Sequence, residues 1–119
     1  MVAMEPRLAD RRCVKCEPGT PTLDAAAVNA LAAQLPAWEV TESGDHPILT
    51  RTFKFKGFMP GVELLNRVAA IAEEEGHHPD VRLGWGYLTL ELWTHAAGGL
   101  TENDFILAAK VDQAESSKS

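Results

Sequence analysis

Residues 73–95 read EEEGHHPDVRLGWGYLTLELWTH, and this stretch decides the fold. Glu73–Glu75 close an apolar-striped helix. Gly76 suits the left-handed position just past a helix end. Pro79 cannot continue a helix, so His77 and His78 fall in a short, stiff exit loop. Val81–Leu83 and Tyr87–Thr94 then read as two strands joined through Gly84-Trp85-Gly86, a hairpin signal. Antiparallel pairing returns the chain to its starting end, so His95 comes back beside the His77-His78-Pro79 loop.

Working outward, the preceding helix begins near Phe58. Pro60 fits its first turn, and Val62, Leu65, Val68, Ala69 and Ala72 recur at helical spacing, widened by Leu64 and Ile71. Further upstream, Ile48–Phe55 and Trp38–Thr41 read as strands flanking the turn residues 42–47. Leu23, Ala27, Val28, Leu31 and Leu35 give a first helical stripe, with Thr22 as its N-cap and Pro36 as its stop. Downstream, Thr101 caps a last helix, with Asp104 three residues on in the place of a capping-box acid. Phe105, Ala108 and Val111 give that helix a buried side.

The order helix, strand, strand, helix, strand, strand, helix predicts an α+β fold. We expect a two-layer sandwich, a four-stranded antiparallel sheet with three helices on one face. Residues 1–21, charged and proline-bearing, read as an extended N-terminal arm. Residues 22–112 form the domain and residues 113–119 a flexible tail.

The chain has 119 residues, enough for one domain, and a net charge of -6. Beyond Arg11-Arg12 and Lys15 it has no basic cluster, which argues against nucleic-acid binding. No apolar run is long enough to span a bilayer. Residues 1–12 lack the apolar core of a secretory signal, so a cytoplasmic location is expected.

Imidazole is the side chain best suited to move protons near neutral pH. His77, His78 and His95 are therefore the candidate catalytic set, with Asp104 able to orient a ring. Trp85 and Trp93 could stack on a flat ligand. Each feature has a plainer reading. A histidine at a helix exit can simply face the free carbonyls. Glu73–Glu75 can be a solvated helix end, His46 a surface turn residue, and either tryptophan a packing residue.

Cys13 and Cys16 form a lone C-x-x-C, half of a common zinc site. The base rate for a partial motif favours an inert or lightly structural role over a small metal-binding module. Three histidines, two of them adjacent, make a poor zinc site, so no metal is expected.

Glu73, His77-His78-Pro79, Trp85, Thr94-His95, Gly99-Leu100-Thr101 and Asp104 through Ala108 together resemble the pterin-4a-carbinolamine dehydratase family. The resemblance covers roughly residues 22–111. It implies an antiparallel four-stranded sheet with helices on one side, assembled as a homodimer or tetramer. It also implies a hydro-lyase that converts 4a-hydroxytetrahydrobiopterin to quinonoid dihydropterin, without metal or organic cofactor. By position, His77, His78 and His95 would be catalytic. His78 and His95 would form the acid/base pair and His77 would hold the pterin. Glu73 and Asp104 would be supporting carboxylates. The chain has Gly76 where many members carry an acid, Val81 where many carry Trp, and Asn103 where many carry Arg. Some relatives act instead as RuBisCO assembly factors, which makes a non-catalytic assembly role with RuBisCO as partner the alternative expectation.

Overall fold

The turn at Trp85-Gly86 reverses the chain between β3 (Asp80–Gly84) and β4 (Tyr87–Leu92), pairing Gly84 with Tyr87 and Asp80 with Glu91. Gly86 takes a φ of 85°, a left-handed conformation that glycine adopts without cost. In the computed structural model, which describes residues 7–116, two further strands complete the sheet. They are β1 (Glu39–Ser43) and β2 (His46–Lys54). The sheet order is β1-β2-β4-β3, and every neighbouring pair is antiparallel. The three helices are α1 (Ala25–Ala32), α2 (Met59–Glu75) and α3 (Glu102–Ser116). The expected α+β architecture is the one observed.

Strand alternation explains which residues are inside. Leu88, Leu90 and Leu92 on β4 point to the helical layer with no solvent exposure, opposite Phe53 and Leu49 of β2. Leu64, Val68 and Ala72 of α2 meet them at helical spacing. Burying one leucine side chain contributes about 1.5–3 kcal/mol. Truncating Leu90 to alanine would cost about 2–5 kcal/mol, since the close-packed layer relaxes only partly.

Helix α2 keeps its expected ends. Pro60 lies in its first turn, and Gly76 closes it at φ 67° with its N–H donating to the Ala72 carbonyl. Helix α1 is capped differently from expectation. Asp24, not Thr22, is its N-cap, and the Asp24 carboxylate accepts from the Ala27 N–H at 2.8 Å. Both residues are competent caps, and the carboxylate adds a favourable charge at the helix dipole's positive end.

Helix α3 departs most from its sequence pattern. Residues Asn103 through Ala109 are all buried, so no single stripe describes it. The reason is the N-terminal arm. A 3-10 turn at Leu8–Asp10 buries Leu8, and the arm packs against α3. Within the described residues the arm is thus docked against the domain. The C-terminal boundary also moves, because residues 113–116 continue α3 and are not a loose tail. Residues 1–6 and 117–119, parts of the expected arm and tail, lie outside the described residues.

Candidate active site

The exit of α2 and the end of β4 meet as the hairpin requires. His77, His78 and His95 all line one cavity of about 500 Å³. That is a size suited to a small organic ligand. Gly76 turns the chain so that His77 and His78 leave the helix axis, and the His77 N–H still bonds the Ala72 carbonyl at 3.2 Å.

His77 is the most fixed of the three rings. Its Nε2 lies 2.6 Å from Oδ1 of Asp104, and its side chain is 11% exposed while that of Asp104 is fully buried. Asp104 sits in the first turn of α3, as the capping pattern anticipated. Its Oδ2 accepts from the Thr101 N–H at 3.0 Å and from the Thr94 hydroxyl at 2.9 Å. The Thr101 hydroxyl lies 2.8 Å from that of Thr94. Only half of a capping box therefore forms: the acid reaches back to the N-cap amide, while the N-cap hydroxyl turns to Thr94. With Oδ2 already satisfied by two donors, Oδ1 serves as the acceptor for the imidazole. His77 then carries hydrogen on Nε2, and Nδ1 is its remaining nitrogen for a ligand.

His78 is more open. Its Nε2 lies 2.5 Å from Oε2 of Glu73, an exposed pair. His95 is exposed too, and its ring stacks on Trp93 at a centroid distance of 3.9 Å and 21°. The site thus combines one imidazole held by a buried carboxylate with two on the solvent side.

Trp93 lines the cavity, but its stacking faces are occupied. His46 lies 3.9 Å from the same indole at 22°. Two imidazoles that close to one ring would overlap if they shared a face, so the indole is sandwiched between His46 and His95. Trp93 consequently offers a ligand its edge, not its face, and the stacking role expected from the sequence is not available to it. Its Nε1–H donates to Asp80 at 3.3 Å. Trp85 is not brought to the cavity at all. It sits at the β3–β4 turn, the other end of β4 from His95, and is 74% exposed.

Three features escaped the sequence reading. His46, expected as a surface turn residue, begins β2. The β2–β4 register pairs Leu49 with Leu92, so its extension sets His46 opposite His95. That signal becomes legible only when the strand order is known. Glu75, expected to be solvated, has a side chain only 2% exposed. It accepts from the Cys13 N–H at 2.8 Å and pairs with Arg12 at 3.1 Å and Lys110 at 3.6 Å. Burial alone would raise its carboxyl, but the Cys13 amide, Lys110 and Arg12 outweigh that and hold it below its ordinary value. The third is the arm itself, since Val14, Lys15 and Cys16 also line the cavity.

Burial, reinforced by the nearby Glu75 and Asp104 carboxylates, pushes the Cys13 thiol from 9.0 up to about 12. At neutral pH the unligated Cys13 side chain is the thiol. Its Sγ lies 3.6 Å from the Asn103 carbonyl oxygen, a packing role. Among the described residues, no three His, Cys, Asp or Glu side chains are grouped to hold a metal ion. Nor is any described helix long and apolar enough to cross a membrane.

Comparison with known proteins adds an independent finding. The family model for pterin 4 alpha carbinolamine dehydratase matches residues 21–114. A Rickettsia bellii protein bearing that family's name is 46% identical over 106 residues, covering 88% of this chain and 91% of its own length. A Rubrobacter xylanophilus protein of the same name is 45% identical over 106 residues, covering 89% and 96%. Among solved structures, a transcriptional coactivator/pterin dehydratase from Brucella melitensis matches with a TM-score of 0.71 at 28% identity, over 78% of this chain and 97% of its own. A pterin dehydratase-like protein identified as a RuBisCO assembly factor in the alpha-carboxysome matches with a TM-score of 0.56, also at 28% identity, over 69% and 93%.

Proposed function

Because the chain belongs to the pterin 4 alpha carbinolamine dehydratase family, we propose that it removes water from a 4a-hydroxytetrahydropterin by histidine acid/base catalysis. The observation that carries this reading is the convergence of His77, His78 and His95 on one cavity, with His77 braced by the buried Asp104.

The reaction breaks the C4a–O bond and forms the C4a=N5 double bond. A protonated imidazole gives its proton to the departing hydroxyl, which leaves as water. A neutral imidazole takes the proton from N5. Atoms and charge balance, and each turnover leaves the two rings with their protons exchanged. Two rings on the solvent side suit that work, because water can reset them. His78 and His95 are therefore the acid/base pair, and the braced His77 orients the pterin. Glu73 and Asp104 hold the rings they touch. Positioned acid/base groups of this kind typically contribute about 10²–10⁴-fold in rate.

The alternative is a non-catalytic assembly role with RuBisCO as partner, which draws support from the structural likeness to one such factor. That role gives the braced imidazole and its two companions no task. The likeness to the coactivator/pterin dehydratase is also closer, with a TM-score of 0.71 against 0.56.

The test is dehydration of synthetic carbinolamine. The wild-type protein should exceed the spontaneous rate by orders of magnitude. His78→Ala and His95→Ala should each remove most of that acceleration. Full activity in both variants would end the assignment, as would a wild-type rate equal to the uncatalysed one.

A further inference from the structure

The N-terminal arm does more than cover α3. Lys110 donates from Nζ to the Ala9 carbonyl at 2.9 Å, and Arg11 pairs with Glu102. Cys13 donates its N–H to the buried Glu75. Asn103 then grips the next residue at two points. The Val14 N–H donates to Asn103 Oδ1 at 3.0 Å, and Asn103 Nδ2 donates to the Val14 carbonyl at 2.6 Å. A carboxamide bonded to both groups of one peptide residue fixes position and direction together, as a neighbouring strand would. The same Nδ2 lies 3.3 Å from Cys16 Sγ.

Val14 is 70% exposed, so hydrophobic burial at that residue does not hold the segment. Its polar bonds to Asn103 do. Beyond the clamp, Val14, Lys15 and Cys16 border the cavity that the three histidines line. Chemistry is thus supplied by the α2 exit and the β4 end, and part of the enclosure by a distant stretch of chain.

We infer that Val14–Cys16 form a substrate-selecting wall of the histidine pocket and that Asn103 is the residue that positions it. The inference rests on the reading of that pocket as a pterin site. With the clamp removed the wall swings into solvent and the flat heterocycle loses contact on that side. Binding weakens, while the imidazoles and their carboxylates stay where they were. Asn103 also lines the cavity itself, so Val14→Pro, which keeps that side chain in place, is the variant that isolates the arm.

The experiment measures KM and kcat for carbinolamine dehydration in the full chain, its Asn103→Ala variant and its Val14→Pro variant. The second substitution removes the Val14 N–H donor from the arm side and leaves the nearly buried Asn103 in place. Hydrogen exchange at the Cys13 and Cys16 amides is followed in parallel. Loss of hydrogen bonds that fix a binding wall should raise KM about tenfold in both variants, with kcat within about threefold of wild type and faster exchange in the arm. An unchanged KM in Val14→Pro, with faster exchange, overturns the inference alone. So does a fall in kcat at constant KM. A wild-type chain without dehydratase activity overturns the pocket's reading and takes the inference with it.

Discussion

Nε2 of His77 and Oδ1 of Asp104 meet at 2.6 Å, joining the exit of α2 to the first turn of α3. The carboxylate that braces the ring also bonds the Thr101 amide that begins α3 and the Thr94 hydroxyl that ends the sheet. One buried side chain therefore ties the site to the start of a core helix. Asp104→Asn would keep the shape and remove the charge. We expect dehydration to fall at least about tenfold. The melting temperature should drop as well, because a charged hydrogen-bond acceptor is worth about 1.5–3 kcal/mol. Steady-state kinetics and calorimetry on the variant check both.

His46 supports the site from a distance. It covers the face of Trp93 opposite His95, and does not itself line the cavity. A ring stack is worth about 0.5–1.5 kcal/mol, and His46→Ala would loosen the indole that His95 rests on. A fall in kcat of about 2–12-fold is expected, the same energy expressed as a rate. Unfolding midpoints should move little, since His46 is only part-buried.

Gly76 carries the backbone that aims two of the three histidines. Beyond its own chain neighbours, no heavy atom lies within 4 Å of where its Cβ would be, so a methyl group would meet no clash. At φ 67° the cost of Gly76→Ala is conformational, about 1–2 kcal/mol for an L-residue in the left-handed region. Gly76→Asn should cost less, because asparagine tolerates that region better. Chemical denaturation of the two variants ranks them.

Glu75 sets an acid limit on arm docking. Its folded carboxyl lies below the ordinary value of 4.5. The stability it contributes is therefore fully present above that value and is lost as pH falls through the depressed one. Glu75→Gln should flatten the acid end of the stability profile, which denaturation between about pH 2 and 6 would record. Cys13, shifted up to about 12, should resist alkylation at pH 8 and Cys16 should react first, as peptide mass mapping would show.

Periodicity and punctuation made the elements legible. Pro60 and Gly76 bounded α2, and Gly84-Trp85-Gly86 announced the hairpin, because these residues act through their own backbone geometry. The meeting of His77, His78 and His95 at one cavity followed from strand direction. What the sequence hid was long-range. Glu75 looks like any helix-end acid until the arm folds over it. Helix α3 shows no stripe because the arm covers its second side. Asn103 contacts residues about ninety positions away, with nothing in its local pattern to say so. Trp93 could be read as packing or as a ligand platform, and only the arrival of His46 on its second face decided against stacking.

That sandwiched indole gives the molecule an optical reporter. A protonated imidazole in contact with an excited indole quenches its emission. With Trp38 and Trp85 replaced by phenylalanine, Trp93 would be the sole indole emitter, flanked by two imidazole rings. Its brightness would respond to a proton gained by either flanking ring, giving a dye-free optical view of His95 at the cavity and of His46 behind the indole.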